Sequence, residues 1–343
     1  MTAADTQRFL SLIVPGRRFV LTTHVNPDGD GLGSQLGLAW LLRAMGAVPQ
    51  IINHDPTPAR LRFLDPDDTI QTYDPAVHDV SIESADLVVM LDNGDPDRLD
   101  RMRAPLDRCR GQKVCIDHHP DPPAYWDFML HRVGASSTGE IIAELIQATR
   151  RTPDVAAARA LYTAVSSDTG RFRFGNTTQL AFQTAAWLVH CGAKPAELYD
   201  RLEQGLSHSY CRLLGQALAN MEIAADGALV LLRVPLSWPD ARAVDGEDLA
   251  RIINEALRVD GCRVAALFRE LESGQTKISL RSNGGLDVQS IAKSQGGGGH
   301  RSAAGAVVSG LDGIDDRADE TGLDGAGSFL AVAPHTVTKL VSM

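Results

Sequence analysis

Residues 18–34 read RFVLTTHVNPDGDGLGS. An apolar run, Phe19 to Leu21, leads into a turn that crowds one imidazole (His24), two carboxylates (Asp28 and Asp30) and three glycines (Gly29, Gly31 and Gly33). Like charges a few ångströms apart repel and raise each other's pKa, so this cluster calls for a counter-ion, and a divalent cation would remove the cost. The glycines suit a tight strand-to-helix turn. Beyond them Leu32, Leu36, Ala39, Trp40 and Leu42 form the apolar stripe of a helix that Gly46 can stop. A strand that feeds a helix in this way opens a crossover into a parallel sheet.

The alternation continues. Strands are expected at 18–23, 49–52, 86–91 and 113–116. A capping box formed by Ser137 and Glu140 announces one helix, and a helical run over 154–167 delivers Asp168. Residues 178–220 are helical in pattern, interrupted by Gly192 and Pro195. A second α/β pattern follows, with strands at 228–234, 263–271 and 276–281 and helices at 246–259 and 286–294. The fold class is α/β, with an N-terminal, mostly parallel-sheet domain and a smaller C-terminal α/β domain. The expected boundaries are 1–190, a helical linker over 191–220, and 221–343. The Asp- and Gly-rich stretch 311–327 reads as a solvated loop before a last strand near 328–332.

A chain of 343 residues is long enough for two domains that each bury an apolar face. Its formal net charge of −10 argues against tight binding of long nucleic acid through phosphate neutralisation. A small anionic substrate in a local pocket stays allowed. Five cysteines without CxxC spacing indicate neither a disulfide framework nor a thiolate zinc site, so a cytoplasmic setting is expected. No run approaches about 18 apolar residues, and no membrane association is expected.

Further chemistry falls where apolar elements end. Asp92 follows the run 87–91, Asp117, His118 and His119 follow 114–116, and Asp168 ends a helical run. In an open parallel sheet the crevice beyond the strands' carboxyl ends binds ligands, which lets these groups converge. Taken singly, an Asp after a strand is a turn or N-cap residue. Four separate segments doing the same speak for a metal site. Oxygen-rich ligands with a few imidazoles and no thiolate favour an ion such as Mn²⁺. The carboxylates and imidazoles exceed the needs of one ion and suit two, roughly 3.5–4 Å apart, the arrangement of phosphoester hydrolysis. Downstream, the glycine run 296–299 can bring backbone N–H groups against an anion, with His300 and Arg301 adding charged donors. Flanked by Arg281 and Ser282, it reads as a phosphate clamp, and Arg98 is a further candidate for substrate contact.

These segments carry a resemblance. HVNPDGDGLGS, LDNGDPDR around Asp92, IDHH at 116–119 and SSDTGRFRF at 166–174 resemble, in order, the four motifs of the DHH phosphoesterase superfamily. ISLRS at 278–282 and GGGGHRSAAG at 296–305 resemble the DHH-associated substrate-binding domain. The resemblance points to the NrnA-like branch of nanoRNA hydrolases and pAp phosphatases.

The resemblance implies a role for each matching position. His24 and Asp28 hold one ion, Asp30, His118 and Asp168 the other, and Asp92 bridges them. Two Mn²⁺ per subunit are implied, with Mg²⁺ or Co²⁺ as substitutes. Asp117 orients a neighbouring ligand, and His119 faces the substrate or leaving group. Beside these, the residues' own chemistry makes Arg98, Arg281, Ser282, Gly297, Gly298, Gly299, His300 and Arg301 the candidates for substrate contact, Arg98 serving equally well as a helix-surface charge. The implied activity is hydrolysis of short RNA or DNA oligonucleotides, or of 3′-phosphoadenosine 5′-phosphate (pAp) to AMP, by a homodimer. Three alternatives stand beside it. Cyclic or linear dinucleotides (c-di-AMP, pApA) would need the same chemistry with a different clamp. A family II inorganic pyrophosphatase shares the metal core but lacks the GGGGH segment. A nucleotide-sensing binding module would have lost a ligand, whereas all the proposed ligand positions carry competent side chains.

Overall fold

The computed structural model describes residues 2–309 apart from 204–205, 245 and 284. The chain divides into two compact units, one ending at Gly205 and the other beginning at Leu206. The expected loop at 311–327 and strand near 328–332 lie outside the described residues.

The first unit runs α1 (Ala3–Ser11), β1 (Arg18–Thr22), α2 (Gly29–Ala44), β2 (Val48–Asn53), β3 (Ile70–Thr72), α3 (Pro75–Glu83), β4 (Leu87–Leu91), α4 (Arg103–Arg108), β5 (Gln112–Asp117) and β6 (Phe128–His131). Then come α5 (Thr138–Ala148), α6 (Val155–Asp168), α7 (Gln179–His190) and α8 (Pro195–Glu203). The strands form one sheet in the order β3-β2-β1-β4-β5-β6, parallel at every pairing. The sequence requires cover on both faces, because β4 (LVVML) is buried at every position. Phe19 and Leu21 of β1 pack with Leu38 of α2, Ile142 of α5 and Leu161 of α6. Val20, between them, faces the other way and packs with Ile82 of α3 and Leu106 of α4. Each such side chain contributes about 1.5–3 kcal/mol when fully buried.

The glycines do not make the turn expected of them; all three lie inside α2. With Gly37, Gly29 and Gly33 form a helical stripe that lets α2 approach α6. A Cβ at Gly33 would lie 2.3 Å from the Ala160 carbonyl oxygen, and one at Gly29 2.1 Å from Ser167 Oγ. The capping box is half made. Ser137 Oγ accepts from Glu140 N at 3.1 Å, but the Glu140 carboxylate turns to Ser136 Oγ and Arg132 instead.

The second unit runs α9 (His208–Ala219), β7 (Glu222–Ala224), β8 (Leu229–Val234), α10 (Gly246–Ala256), β9 (Val264–Glu270), β10 (Gln275–Ser282), α11 (Val288–Ser294), β11 (Gly298–His300) and β12 (Ala303–Ser309). Its sheet has the order β11-β12-β10-β9-β8-β7, parallel only between β8 and β9. Val230 and Leu232 pack with α9 and α10 on one face, and Leu229 and Leu231 with α11 on the other. The helical linker expected over 191–220 does not stand apart. Leu198 and Leu202 of α8 enter the cores of the first unit, and Tyr210 and Leu213 of α9 enter that of the second. Among the described residues, no helix is long and apolar enough to cross a membrane.

Candidate metal centre

In the sheet order β3-β2-β1-β4-β5-β6 the direction of winding reverses between β1 and β4, the position where parallel sheets open a binding crevice. His24 lies just beyond the end of β1, Asp92 just after β4, and His118 and His119 just after β5. Asp28 caps α2, Asp30 sits in its first turn, and Asp168 ends α6. The three groups His24/Asp28/Asp92, Asp30/His118/Asp168 and Asp92/His118/His119 each bring their donor atoms within 4.8 Å of one another. Asp92 links them: Oδ2 is 3.6 Å from His24 Nε2, and Oδ1 is 3.5 Å from His118 Nε2. His118 Nε2 also lies 3.7 Å from Asp30 Oδ2 and 3.6 Å from Asp168 Oδ2. His24 Nε2 is 3.9 Å from Asp28 Oδ2.

These separations are too long for direct hydrogen bonds and leave the polar atoms converging on shared space. The other nitrogen of each ring is anchored. His118 Nδ1 lies 3.2 Å from the Ala135 carbonyl oxygen, and His24 Nδ1 lies 2.8 Å from that of Val25. A proton donated there aims Nε2 at the carboxylates, and a cation that displaces the Nε2 proton would meet the tautomer a metal ligand needs. The donor set therefore fits a divalent cation.

The carboxylates are held as firmly. Asp30 Oδ2 accepts from Thr138 N at 2.7 Å, and Oδ1 accepts from Gly139 N at 2.9 Å and Ser34 Oγ at 3.1 Å. The N-terminus of α5 thus grips an anion through its unpaired N–H groups. Thr138 Oγ1 donates to Asp92 Oδ1 at 3.2 Å, and Asn176 Nδ2 to Asp168 Oδ2 at 3.2 Å. Asp92 itself adopts φ +62, a left-handed conformation that Asp tolerates and that clusters at functional sites. Asp117 is fully buried, and its Oδ1 receives His118 N, His119 N and, at 2.8 Å, His119 Nδ1.

The electrostatics show a centre short of positive charge. Burial, followed by the Asp92 charge, pushes the Asp30 carboxyl well above its usual range. Burial also lifts Asp168 to about 7, with His118 opposing and Asp92 assisting. Burial works against a charged His118, yet Asp92, Asp168 and Asp30 together raise it to about 11. Despite its own burial, Asp92 is held well below the carboxylate range by His118 and His24.

The substrate candidates are placed less uniformly. Arg98 is exposed, with Nη2 3.4 Å from His24 Nδ1. In the second unit the glycine run is no open loop: Gly298–His300 forms the edge strand β11, paired to β12. A Cβ at Gly297 would fall 2.1 Å from the Gly305 carbonyl oxygen, and one at Gly299, which has φ +134, 2.5 Å from that of Ala303. Both are needed for the backbone approach, whereas Gly298 faces open space. Arg301 is exposed and Arg281 half-buried. The structure does not bring Ser282 together with Arg281. The two are adjacent on β10 and so lie on opposite faces, and the Ser282 hydroxyl donates to the Leu286 carbonyl at 2.7 Å. Four features escaped the sequence reading: the Thr138 hydroxyl, the N–H groups of Thr138 and Gly139, and Asn176. Arg171 pairs with Glu203.

A parallel-sheet crevice lined by carboxylates and inward-facing imidazoles defines an α/β protein with a candidate metal centre. Residues 18–165 match the N-terminal domain of the DHH family, and residues 230–321 match the DHHA1 domain. The bifunctional oligoribonuclease and PAP phosphatase NrnA of Thermus thermophilus is 36% identical over 85% of this chain and 84% of its own length. The protein of that name from Bacillus subtilis is 28% identical over 86% of this chain and 91% of its own. The chain belongs to the DHH family. An exopolyphosphatase-related protein from Bacteroides fragilis has the same fold, with a TM-score of 0.88, 24% identity and coverage of 100% of this chain and 98% of its own.

Adding Mn²⁺ to chelator-treated protein is expected to raise the thermal midpoint by several degrees. Binding to the folded state alone is worth about 2.7 kcal/mol at a hundredfold excess over Kd. Thermal scans with and without chelator check this, and an unchanged midpoint speaks against a cation at the cluster.

Proposed function

We propose that the protein is a two-metal phosphoesterase that hydrolyses short oligoribonucleotides to mononucleotides and pAp to AMP. The observation that carries this reading is Asp92, whose two oxygens address different donor groups: Oδ2 the His24/Asp28 side, Oδ1 the His118/Asp30/Asp168 side. That division suits two ions, Mn²⁺ by preference with Mg²⁺ or Co²⁺ as substitutes, sharing one carboxylate. When bound, such a pair supplies hydroxide near neutral pH and offsets phosphoryl charge.

The chain's own residues set the rest. Asp28 and Asp30, fixed by the first turn of α2 and by the α5 N-terminus, keep the two donor groups apart. Asp117 holds the His119 ring through Nδ1, and we assign Nε2 of that ring to the leaving oxygen. Arg281, His300 and Arg301, with the glycine strand, are assigned to a substrate phosphate. The relatives' names support the substrate class. The free cysteines support a cytoplasmic setting, and the resemblance supports a homodimer.

The test is a product time course with Mn²⁺ on end-labelled di- to decanucleotides, with pAp as competitor. Mononucleotides should accumulate faster from di- to pentanucleotides than from longer oligomers, and pAp should inhibit while being converted to AMP. Cleavage that favours the longest oligomers, or no hydrolysis of any substrate, overturns the proposal.

A further inference from the structure

The second unit carries a cationic face that the clamp does not use up. Lys277 and Arg281 lie on the same face of β10, and Lys277 stands directly opposite Arg269 of β9. Like charges placed opposite each other across strands destabilise a sheet. All three side chains are half-buried. Among the described residues none of them meets a carboxylate, and the Arg269 Nε–H is a buried donor with no partner. Among the described residues the Arg281 guanidinium donates only to the Leu280 carbonyl, at 3.0 Å. Burial, then the neighbouring Arg269 and Arg281, pulls the Lys277 ammonium below its usual range, and burial alone does the same to both guanidinium groups.

Half-buried cations that face one another without an anion are costly, and a fold retains them where a ligand supplies the missing charge. One phosphate cannot serve all three. Lys277 and Arg281 are four residues apart on a strand, or about 13 Å at ~3.3 Å per residue. We infer that Lys277 and Arg269 form a second phosphate-binding position on this face, which takes a phosphate of an oligonucleotide beyond the one held at Arg281. The inference rests on the reading of the protein as an oligoribonuclease and deepens it: the face acts as a length gauge. It favours chains with several phosphates over a dinucleotide or pAp.

The test compares wild type with Lys277→Met/Arg269→Met, measuring anisotropy of labelled penta- and dinucleotides on full-length, chelator-treated protein so that nothing is cleaved. The expected result is that the ratio of pentanucleotide to dinucleotide Kd rises about tenfold. The salt slope for the pentanucleotide should also fall by ~0.7 per lost phosphate contact. Lys277→Arg should restore most of the pentanucleotide affinity, as a merely structural lysine would not require. Removing the opposed charge should raise Tm, whereas loss of a structural pair would lower it. An unchanged Kd ratio overturns the inference while wild-type hydrolysis of the oligomers, run in parallel, leaves the oligoribonuclease reading standing. Absence of that hydrolysis in wild type overturns both.

Discussion

Asp92→Asn is expected to lower kcat by at least about 10³-fold, a loss of ~4 kcal/mol of transition-state stabilisation, and to empty the centre of bound metal. The expectation follows from position rather than from residue type. Asp92 is 2% exposed, and each oxygen faces a different imidazole, so one amide nitrogen in place of an oxygen removes a donor from one side and leaves the other weakened. The fold should survive. Asn keeps the volume, and like Asp it tolerates the φ of +62 that this residue adopts. Asp92→Ala adds backbone strain to the ligand loss, so the two variants should match in activity and differ in stability. Kinetics with Mn²⁺, metal content by mass spectrometry and a thermal scan make the comparison. Turnover of Asp92→Asn within tenfold of wild type would sink the shared-ligand scheme.

The candidates Asp92, Asp117, His118 and His119 were legible because they close or follow apolar strands. LVVML and the apolar part of β5 can only be central strands, and polar residues at their ends can only lie at one edge of the sheet. What holds these side chains in place was not legible. Thr138 and Gly139 donate backbone N–H groups, which every residue but proline possesses, to Asp30 more than a hundred residues away in the chain. The edge strand β3, IQT, has no apolar run to mark it. The expected linker looked helical because helices docked on different units show the same amphipathic pattern. Ser282 shows a rule that was available but not used: neighbours on a strand face opposite ways, so Arg281 and Ser282 could not both face one ligand.

Gly33→Ala should damage both the fold and the candidate metal centre, although alanine is the better helix former. In an open helical position the exchange gains roughly 0.5–1 kcal/mol. Gly215, inside α9 with nothing within 4 Å of a Cβ, should show that gain. At Gly33 the new methyl would sit 2.3 Å from the Ala160 carbonyl oxygen and 3.0 Å from Ala164 Cβ. A backbone oxygen cannot rotate away as a side chain can, so the helices must part, at a cost of about 1–3 kcal/mol in a close-packed core. The damage then reaches the centre, because the two helices carry candidate ligands at their ends. Asp28 and Asp30 begin α2, and Asp168 ends α6. Separating them spreads the Asp30/His118/Asp168 group, and Mn²⁺ affinity should fall about 10–100-fold, as it does when the groups that support a ligand are lost. Urea denaturation and Mn²⁺ titration of Gly33→Ala and Gly215→Ala provide the comparison. If Gly33→Ala unfolds more readily yet binds Mn²⁺ as tightly as wild type, helix spacing does not set the ligand geometry.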